Sequence, residues 1–344
     1  MSNKVENTNL TTEEKAELKA ENKAEFREWL AFQKKEFVKN VNIVKQLVLR
    51  SIKVQYRNSV IGVFWTILNP LLNMLVMYLV FSSMFQRSGG ATPTDGETYA
   101  LYLLCGNIVF GMMRTATFQS LPSIVQNRGL LTKNKMSYNV FPLSYTLSAV
   151  VNFGFSFIAL LGVMLFVRFF SGQAVFSFNI FLVLVALPAL FLFSYGLSLV
   201  LSAMYTFFRD IKHFYNVFLT LWMYLTPIFY NINMFDNAGF SASFMKTVIK
   251  LNPMYYFVEY FRDVVYRCSA HEGAIPGLKA EVANAIATGS NSLAELQVDL
   301  AATIEAAQLP GVGAVFTLYA IGGITTLIGA IVFMATKRKF IYNI

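Results

Sequence analysis

Six long apolar segments constrain this chain more than any other feature of its sequence. They lie at residues 60–85, 99–121, 144–169, 180–207, 214–230 and 313–335, and the fifth is the shortest. A helix needs about 20 mostly apolar residues to cross the hydrocarbon core of a membrane. Because 56% of the residues are hydrophobic and only 14% are charged, the chain has too few charged groups to coat a water-exposed surface. The sequence therefore predicts an all-α membrane protein with six transmembrane helices.

The basic residues between these segments predict the orientation of the chain. Lysine and arginine near the ends of spans are retained on the cytoplasmic side of a membrane. They occur before the first segment, between the second and third, between the fourth and fifth, and after the sixth, whereas the other loops are poor in them. Both termini are therefore predicted to be cytoplasmic. Residues 1–36 form a charged extension without the apolar run of a signal peptide, and residues 336–344 form a basic tail.

Residue types that carry catalysis or ion coupling are scarce. Cys105 and Cys268, the only cysteines, cannot build a metal cluster with His213 and His271 at such separations. The six segments contain no Asp or Glu, the side chains that usually hold the coupling ion in gradient-driven carriers. No phosphate loop of the G-x-x-x-x-G-K-[ST] type occurs in the chain. We therefore expect a transport subunit without catalytic residues, metal or cofactor, driven by a separate ATPase that binds ATP and magnesium.

Residues 37–59, which precede the first segment, are predicted to form an amphipathic helix at the membrane surface. Apolar residues recur at helical spacing and basic residues lie on another side; the apolar set is Phe37, Val41, Val44, Val48 and Ile52, and the basic set is Lys45, Arg50, Lys53 and Arg57. The helix either anchors the chain to anionic headgroups or presents a docking surface that meets a phosphate-bearing lipid. The sequence alone favours the anchor.

Several motifs, in order along the chain, resemble the membrane subunit of ABC-2 type polysaccharide exporters. The motifs are K-x-x-Y-R-x-S-x-x-G-x-x-W at 53–65, Leu68-Asn69-Pro70-Leu71, Asn127 with Leu130, Leu131, Lys133 and Phe141-Pro142, Phe208-Arg209-Asp210-Ile211, 226–230 (TPIFY), and Asn252-Pro253 with Arg262. The similarity covers roughly 37–268 and 313–344. The resemblance implies a homodimer with two ABC ATPase subunits that exports a polyprenyl-diphosphate-linked glycan, such as O-antigen, capsule or teichoic acid, across the cytoplasmic membrane of a bacterium.

The resemblance also implies roles for particular residues. The loop between the second and third spans resembles the helix that docks on the ATPase, so the expected contacts are Asn127, Arg128, Leu130, Lys133 and Lys135. The alternative is that these lysines only set the topology. Cationic side chains suit the lipid diphosphate, and the candidates are Lys53, Arg57 and Arg114. Arg114 is the one clear charge within a span, and the sequence alone slightly favours a structural role, in which it bonds to neighbouring carbonyls or an amide, over binding an anionic substrate.

Aromatic residues of the first and fifth spans are expected to line the glycan channel, because sugar rings can slide over aromatic faces. The candidates are Tyr78, Phe81, Phe85, Trp222, Tyr224, Phe229 and Tyr230. The alternative is that these side chains face lipid or the membrane interface. Family resemblance further suggests that re-entrant helices within 231–312 form an outer gate around Asn252, Pro253, Glu259 and Arg262. The charged residues Glu259, Arg262, Asp263 and Arg267 lie at three- and four-residue spacings, which favours local ion pairing over substrate binding.

Two further regions are interpreted from the residues alone. A capping box at Ser292 and Glu295 opens an amphipathic helix that Pro310 ends, so 269–312 is expected to contain an external helical hairpin. Gly322, Thr326 and Ala330 make a stripe of small residues in the last span that permits close packing within the subunit or across a dimer. The other functions considered are an ABC-2 exporter of a smaller lipid or drug, a membrane glycosyltransferase and a passive channel.

Overall fold

The computed structural model describes residues 39–55, 62, 64–87, 96–133, 136–171, 178–232, 239–288, 293–337 and 340. The described residues contain helices and turns but no strand, in agreement with the predicted all-α class. The α-helices are α1 (39–55), α2 (Phe64–Arg87), α3 (Gly96–Ser120), α4 (Ser123–Gln126), α5 (Arg128–Lys133), α6 (Val140–Ser171), α7 (Val183–Phe207), α8 (Ile211–Leu225), α9 (Gly239–Leu251), α10 (Pro253–Arg262), α11 (Cys268–Thr288), α12 (Leu293–Ala306) and α13 (Val312–Thr336). A 3-10 helix, Phe178–Leu182, precedes α7, and a π-helical turn, Asp263–Arg267, joins α10 to α11.

Among the described residues, five helical segments are long and apolar enough to cross a membrane. They are Phe64–Phe81, Tyr99–Ser120, Val140–Phe170, Phe178–Phe207 and Val312–Thr336. Each overlaps a segment predicted from the sequence, with helix ends that differ by a few residues. The protein is therefore a multi-pass membrane protein.

The predicted fifth span, 214–230, is not confirmed. Helix α8 has 15 residues and ends at Leu225, which gives a length of about 22 Å, shorter than the hydrocarbon core of about 30 Å. The helix ends there because Pro227 follows: a residue before proline is pushed out of the helical region, and Thr226 has φ −83° and ψ 129°. Residues 226–232 continue as turns and bends.

Helices α7 and α13 form the tightest contact of the fold. A Cβ atom added at Gly196 would lie 2.5 Å from the carbonyl of Thr325, and one added at Gly322 would lie 2.6 Å from the carbonyl oxygen of Ala189. The hydroxyl of Thr326 donates across the pair to the carbonyl of Leu192 at 2.6 Å. The small residues of the last span therefore permit close packing within one subunit.

Helix α3 occupies the centre of the described structure and contacts α2, α6, α7, α8 and α10. Small hydroxyl residues on its buried side bond to backbone carbonyls, as where Ser120 donates to its own helix at Ala116 at 2.6 Å. Ser198 of α7 donates to the same carbonyl at 3.4 Å. Such bonds satisfy hydroxyl groups that water cannot reach.

The region between α10 and α13 contains the predicted helical hairpin. Helices α11 and α12 pack against each other, and α12 begins at Leu293, directly after the predicted cap Ser292, which lies outside the described residues. The thiol of Cys268 donates to the carbonyl of Gln308 at 3.2 Å. The chain therefore enters and leaves the hairpin at neighbouring points, near Cys268 and Gln308.

Candidate functional site

The predicted ATPase-contact segment folds as two short helices after α3. The side chain of Asn127 donates to the carbonyl of Ser123 at 2.8 Å, and its own carbonyl accepts from the backbone N–H of Leu130 at 2.9 Å. Asn127 thus forms the corner between α4 and α5. Arg128 is exposed and Leu130 is half-buried. Lys133 ends α5, but its side chain lies outside the described residues, as does all of Lys135.

An aromatic cluster fixes this segment to the ends of α7 and α13. Ile124 of α4 is buried in a cluster with Leu199, Ala203, Phe333 and Phe340. The ring of Phe340 packs against Tyr138 at 5.6 Å, Phe333 at 5.4 Å and Phe207 at 6.0 Å. The surface formed by α4 and α5 therefore rests on the helix pair that is packed most tightly.

Helix α1 lies beside the same segment. Val44 is buried, and Leu47, Val48 and Ser51 are half-buried, whereas Val41 is exposed. The predicted apolar stripe is therefore correct at its centre but displaced by about one residue at its N-terminal end, and Phe37 lies outside the described residues. Residues of α1 line a cavity of about 380 Å³ together with Gln126 and Asn127. The structure therefore brings α1 and the predicted ATPase contacts together.

The structure describes two of the three predicted phosphate ligands, and it does not bring these two together. Lys53 is exposed on α1, where it lines a surface cavity with Arg50, whereas Arg57 lies outside the described residues. Arg114 is exposed on α3 and lines none of the cavities beside α1. In the described part of the chain it makes no ion pair.

The predicted channel aromatics come together where α2 meets the segment after α8. Phe81 stacks on Phe229 at 5.1 Å between ring centroids, and Tyr224 lies 5.9 Å from the same ring. Tyr78 lies 6.2 Å from Tyr99, whose hydroxyl donates to the carbonyl of Phe229 at 2.9 Å. Phe85 belongs to α2, but its side chain lies outside the described residues.

Tyr99 and Tyr102 are members of this cluster that the sequence analysis missed. The hydroxyl of Tyr102 donates to the carbonyls of Pro227 and Tyr230, so both tyrosines hold the irregular segment 226–230 against α3. Their spacing of one helical turn at the start of the second span was the signal available in the sequence.

Three of the predicted aromatics also face the predicted gate. Trp222, Tyr224 and Tyr230 line an almost wholly apolar cavity of about 780 Å³, whose lining also includes Asn252 and Pro253. The cavity is built by α8, the segment that follows it, α9 and the start of α10. The structure therefore places the candidate lining and candidate gate residues around one cavity.

Asn252 organises the break between α9 and α10. Its side-chain oxygen accepts from the backbone N–H of Met254 at 3.0 Å, which caps α10, and Pro253 occupies the first turn, where a missing N–H costs nothing. The same oxygen accepts from the indole N–H of Trp222 at 2.8 Å. The amide N–H donates to the hydroxyl of Thr226 at 2.9 Å. Asn252 thus ties α10 to the end of α8.

Arg262 is the largest fully buried side chain in the described structure, with 0% exposure. Its guanidinium donates to the carbonyl of Tyr102 at 3.3 Å, to the carbonyl of Ile228 at 3.1 Å and to the carboxylate of Glu259 at 2.9 Å. The guanidinium carbon also lies 3.4 Å from the centroid of the Tyr102 ring. Arg262 therefore fixes α10 to α3 and to the segment after α8.

A second arginine completes this ion-pair network. Arg267 donates to Glu259 at 2.8 Å and to Asp263 at 2.6 Å. Burial would raise the pKa of Glu259, but Arg262 and then Arg267 together hold it below its ordinary value. Burial raises the pKa of Asp263 to about 6, against the opposing effect of Arg267. The predicted local pairing of these four charges is confirmed.

Comparison with known proteins agrees with this arrangement. The family model for ABC-2 type transporters matches residues 43–266, more than half of the chain. An O-antigen export system permease protein RfbA from Myxococcus xanthus is 28% identical over 220 residues, which cover 64% of this chain and 78% of the relative. Another of the same name from Klebsiella pneumoniae is 25% identical over 215 residues, covering 62% and 76% respectively. The chain belongs to the ABC-2 type transporter family.

Proposed function

We propose that this chain is the channel-forming subunit of an ATP-driven exporter that moves a polyprenyl-diphosphate-linked polysaccharide across the cytoplasmic membrane. O-antigen, teichoic acid or a related wall glycan is the cargo class. The observation that carries the proposal is the aromatic cluster of α2 and 226–230 in a chain whose relatives are named O-antigen export permeases. Aromatic faces suit a sugar polymer that has to slide.

The assembly proposed is a homodimer with two ABC ATPase subunits, which supply ATP and magnesium. The α4–α5 surface, with Arg128 exposed and α1 alongside, is the proposed ATPase contact. The outer surfaces of α2 and α8 are apolar and exposed in the single subunit, and a second copy would cover them. Six helices of one subunit would hardly enclose a path wide enough for a glycan.

The proposed orientation has both termini in the cytoplasm. This orientation needs an even number of crossings, so α8 together with 226–232 would make the sixth crossing. Helices α9 and α10 would then lie toward the outer face, where the break at Asn252 and Pro253 is the proposed gate.

The export of a smaller lipid or drug is the second candidate function. The observation in its favour is the cavity of about 780 Å³, whose lining from Phe218 to Pro253 is almost wholly apolar and would suit an acyl chain.

The test is to co-purify the chain with the ATPase encoded beside its gene, place the complex in nanodiscs, and measure ATP hydrolysis. Stimulation by a lipid-linked glycan extract, and not by phospholipid or a panel of drugs, is the expected result. Stimulation by phospholipid or drugs, and not by the glycan extract, would support export of a smaller lipid or drug. Failure of the two chains to associate would overturn both candidate functions.

A matched pair of variants tests the ATPase contact within the same assay. Charge reversal of Arg128→Glu together with Lys133→Glu should abolish co-purification or coupling, because both side chains belong to the segment proposed to dock. Lys337→Glu, a single charge reversal at the exposed end of α13, should leave both intact. Normal coupling in the double variant would refute the contact.

A further inference from the structure

A groove lined by uncharged polar side chains runs between α2, α3 and α6. Its volume is about 510 Å³, within the usual range of small-molecule sites. Its polar lining consists of Gln55, Thr66, Asn69, Asn73, Asn107, Thr115, Gln119, Asn152 and Ser156. All three helices belong to the candidate membrane spans, where amide side chains are costly unless they have partners.

Two amides of this groove have no partner among the described residues. Asn107 and Gln119 are half-buried on α3, and neither side chain hydrogen-bonds to any other described residue. An amide offers both donors and an acceptor, as a sugar hydroxyl requires. Among the described residues the groove lining contains no charged side chain, so these residues offer an ion on its own no counter-charge. A neutral, hydroxyl-rich ligand suits this chemistry best.

A cationic side chain, that of Arg50, lies near one end of the groove. Gln55 and Gln119 line both the groove and the neighbouring cavity of about 380 Å³, and that second cavity is also lined by Arg50 of α1. Arg50 is exposed, and no ion pair involves it in the described part of the chain. A guanidinium can bind phosphate oxygens with two parallel hydrogen bonds. Arg50 therefore lies on one side of the shared amides Gln55 and Gln119, and the rest of the groove, which we call the amide groove, lies on the other side.

We infer that the amide groove and Arg50 together bind the first sugar of a lipid-linked glycan and the diphosphate that joins it to the lipid. This inference rests on the proposed function and deepens it. Trp65, which also lines the groove, supplies a flat apolar surface for the sugar ring. In this proposal the phosphate ligand is Arg50 and not Lys53 or Arg114, which line no cavity together.

The test is equilibrium binding to the complex with its ATPase in nanodiscs, using two radiolabelled probes. One is polyprenyl diphosphate carrying a single N-acetylhexosamine, and the other is the bare polyprenyl diphosphate. The variant Asn107→Leu with Gln119→Leu should raise Kd for the sugar-bearing probe about tenfold or more, because several neutral hydrogen bonds are lost, and leave that of the bare probe unchanged. Arg50→Gln should weaken both probes alike.

Gln297→Leu, which removes an exposed amide on α12, is the matched control and should change neither value. If the double variant fails to assemble, the single Gln119→Met, which keeps the length of the side chain, takes its place. Wild-type binding of both probes with no selective loss in the variant would overturn the groove but leave the proposed function standing. Failure of the wild type to bind either probe would overturn both.

Discussion

The α7–α13 pair and helix α8 differ in how much of their surface is buried within the subunit. The pair is joined through glycines whose Cβ positions are filled by the neighbouring backbone, and α7 buries residues along its whole length. Helix α8 buries only Tyr215 and Leu219, and Val217 on its outer surface is 61% exposed. The α7–α13 pair is therefore completed within the subunit, whereas α8 leaves apolar side chains open to lipid or, in the proposed dimer, to a second copy.

This contrast separates a scaffold from a working surface. The scaffold carries the α4–α5 segment through the Phe340 cluster, so force applied there would reach α7 and α13 as a unit. Helix α8 is held at both ends. Near its start the hydroxyl of Tyr215 donates to that of Thr117 on α3 at 2.8 Å, and at its end Asn252 bonds to Trp222 and Thr226.

The largest effect is expected from Gly329→Leu in the scaffold. A Cβ atom at this position would overlap the backbone of Gly196, so α7 and α13 would have to separate. We expect a cost of at least about 3 kcal/mol and no monodisperse protein by size-exclusion chromatography. Gly323→Leu is the matched control on the same helix, because a Cβ there meets nothing within 4 Å. Equal behaviour of the two variants would contradict the description of the scaffold.

The next largest effect is expected from Arg262→Met, which cuts the link between α10 and α3. Glu259 would keep only Arg267, and the carbonyls of Tyr102 and Ile228 would lose their donor. Breaking a buried pair on one side costs about 3–5 kcal/mol, and a thermal-unfolding scan in detergent would detect it. Lys279→Met, at an exposed position on α11, should leave the Tm unchanged.

The same variant has a pH signature. Because the folded-state pKa of Glu259 is lowered, the stability that this carboxylate contributes is complete above its ordinary pKa and is lost as the pH falls through the folded-state value. Loss of Arg262 should weaken this acid sensitivity of the Tm. An unchanged pH profile would show that the ion pair adds nothing.

A smaller effect on stability is expected from substitutions of Asn252, which ties the end of α8 to α10. Asn252→Ala removes the cap of α10 and leaves the indole N–H of Trp222 without its acceptor, at a cost of about 2 kcal/mol. Asn252→Asp keeps the acceptor oxygen and should lose less. If both variants lower the Tm equally, the side-chain oxygen of residue 252 does not account for the stabilisation.

The smallest effect on folding is expected on the open surface of α8. Val217→Ala should change the subunit's unfolding free energy by less than about 0.5 kcal/mol, because the side chain is exposed, yet lower the dimer fraction counted in nanodiscs. Leu327→Ala removes an aliphatic group that is also 61% exposed from the scaffold helix α13 and should leave dimers intact. Loss of dimers in both variants would contradict the proposal that α8, and not α13, meets the second copy.

The helices were predictable because apolar runs and positive flanks act locally. The motif glycine at 62 is understandable in the same terms, since its φ of 57° lies in the left-handed region that favours glycine, just before α2. The early end of α8 was also readable, because Pro227 acts on the residue beside it. The predicted fifth segment, 214–230, extends five residues beyond the end of this helix, because hydropathy stays high past Pro227 although the helix does not continue.

The candidate site was less predictable because distant elements build it. Asn107 and Gln119 are ordinary amides in sequence, and only the packing of α3 against α2 and α6 shows that they share a groove. Arg50 looked like one of several topology-setting cations until α1 was seen to border a cavity. Aromatic residues were the better guide, since Phe81 and Phe229, chosen from separate spans, do stack.

The contact between Cys268 and Gln308 makes the α11–α12 hairpin an interchangeable cassette. Because the chain departs and rejoins at adjacent points, a small rigid reporter domain could replace the hairpin while α10 and α13 keep their positions. Such a graft would give electron-microscopy images of this small membrane protein a landmark for alignment.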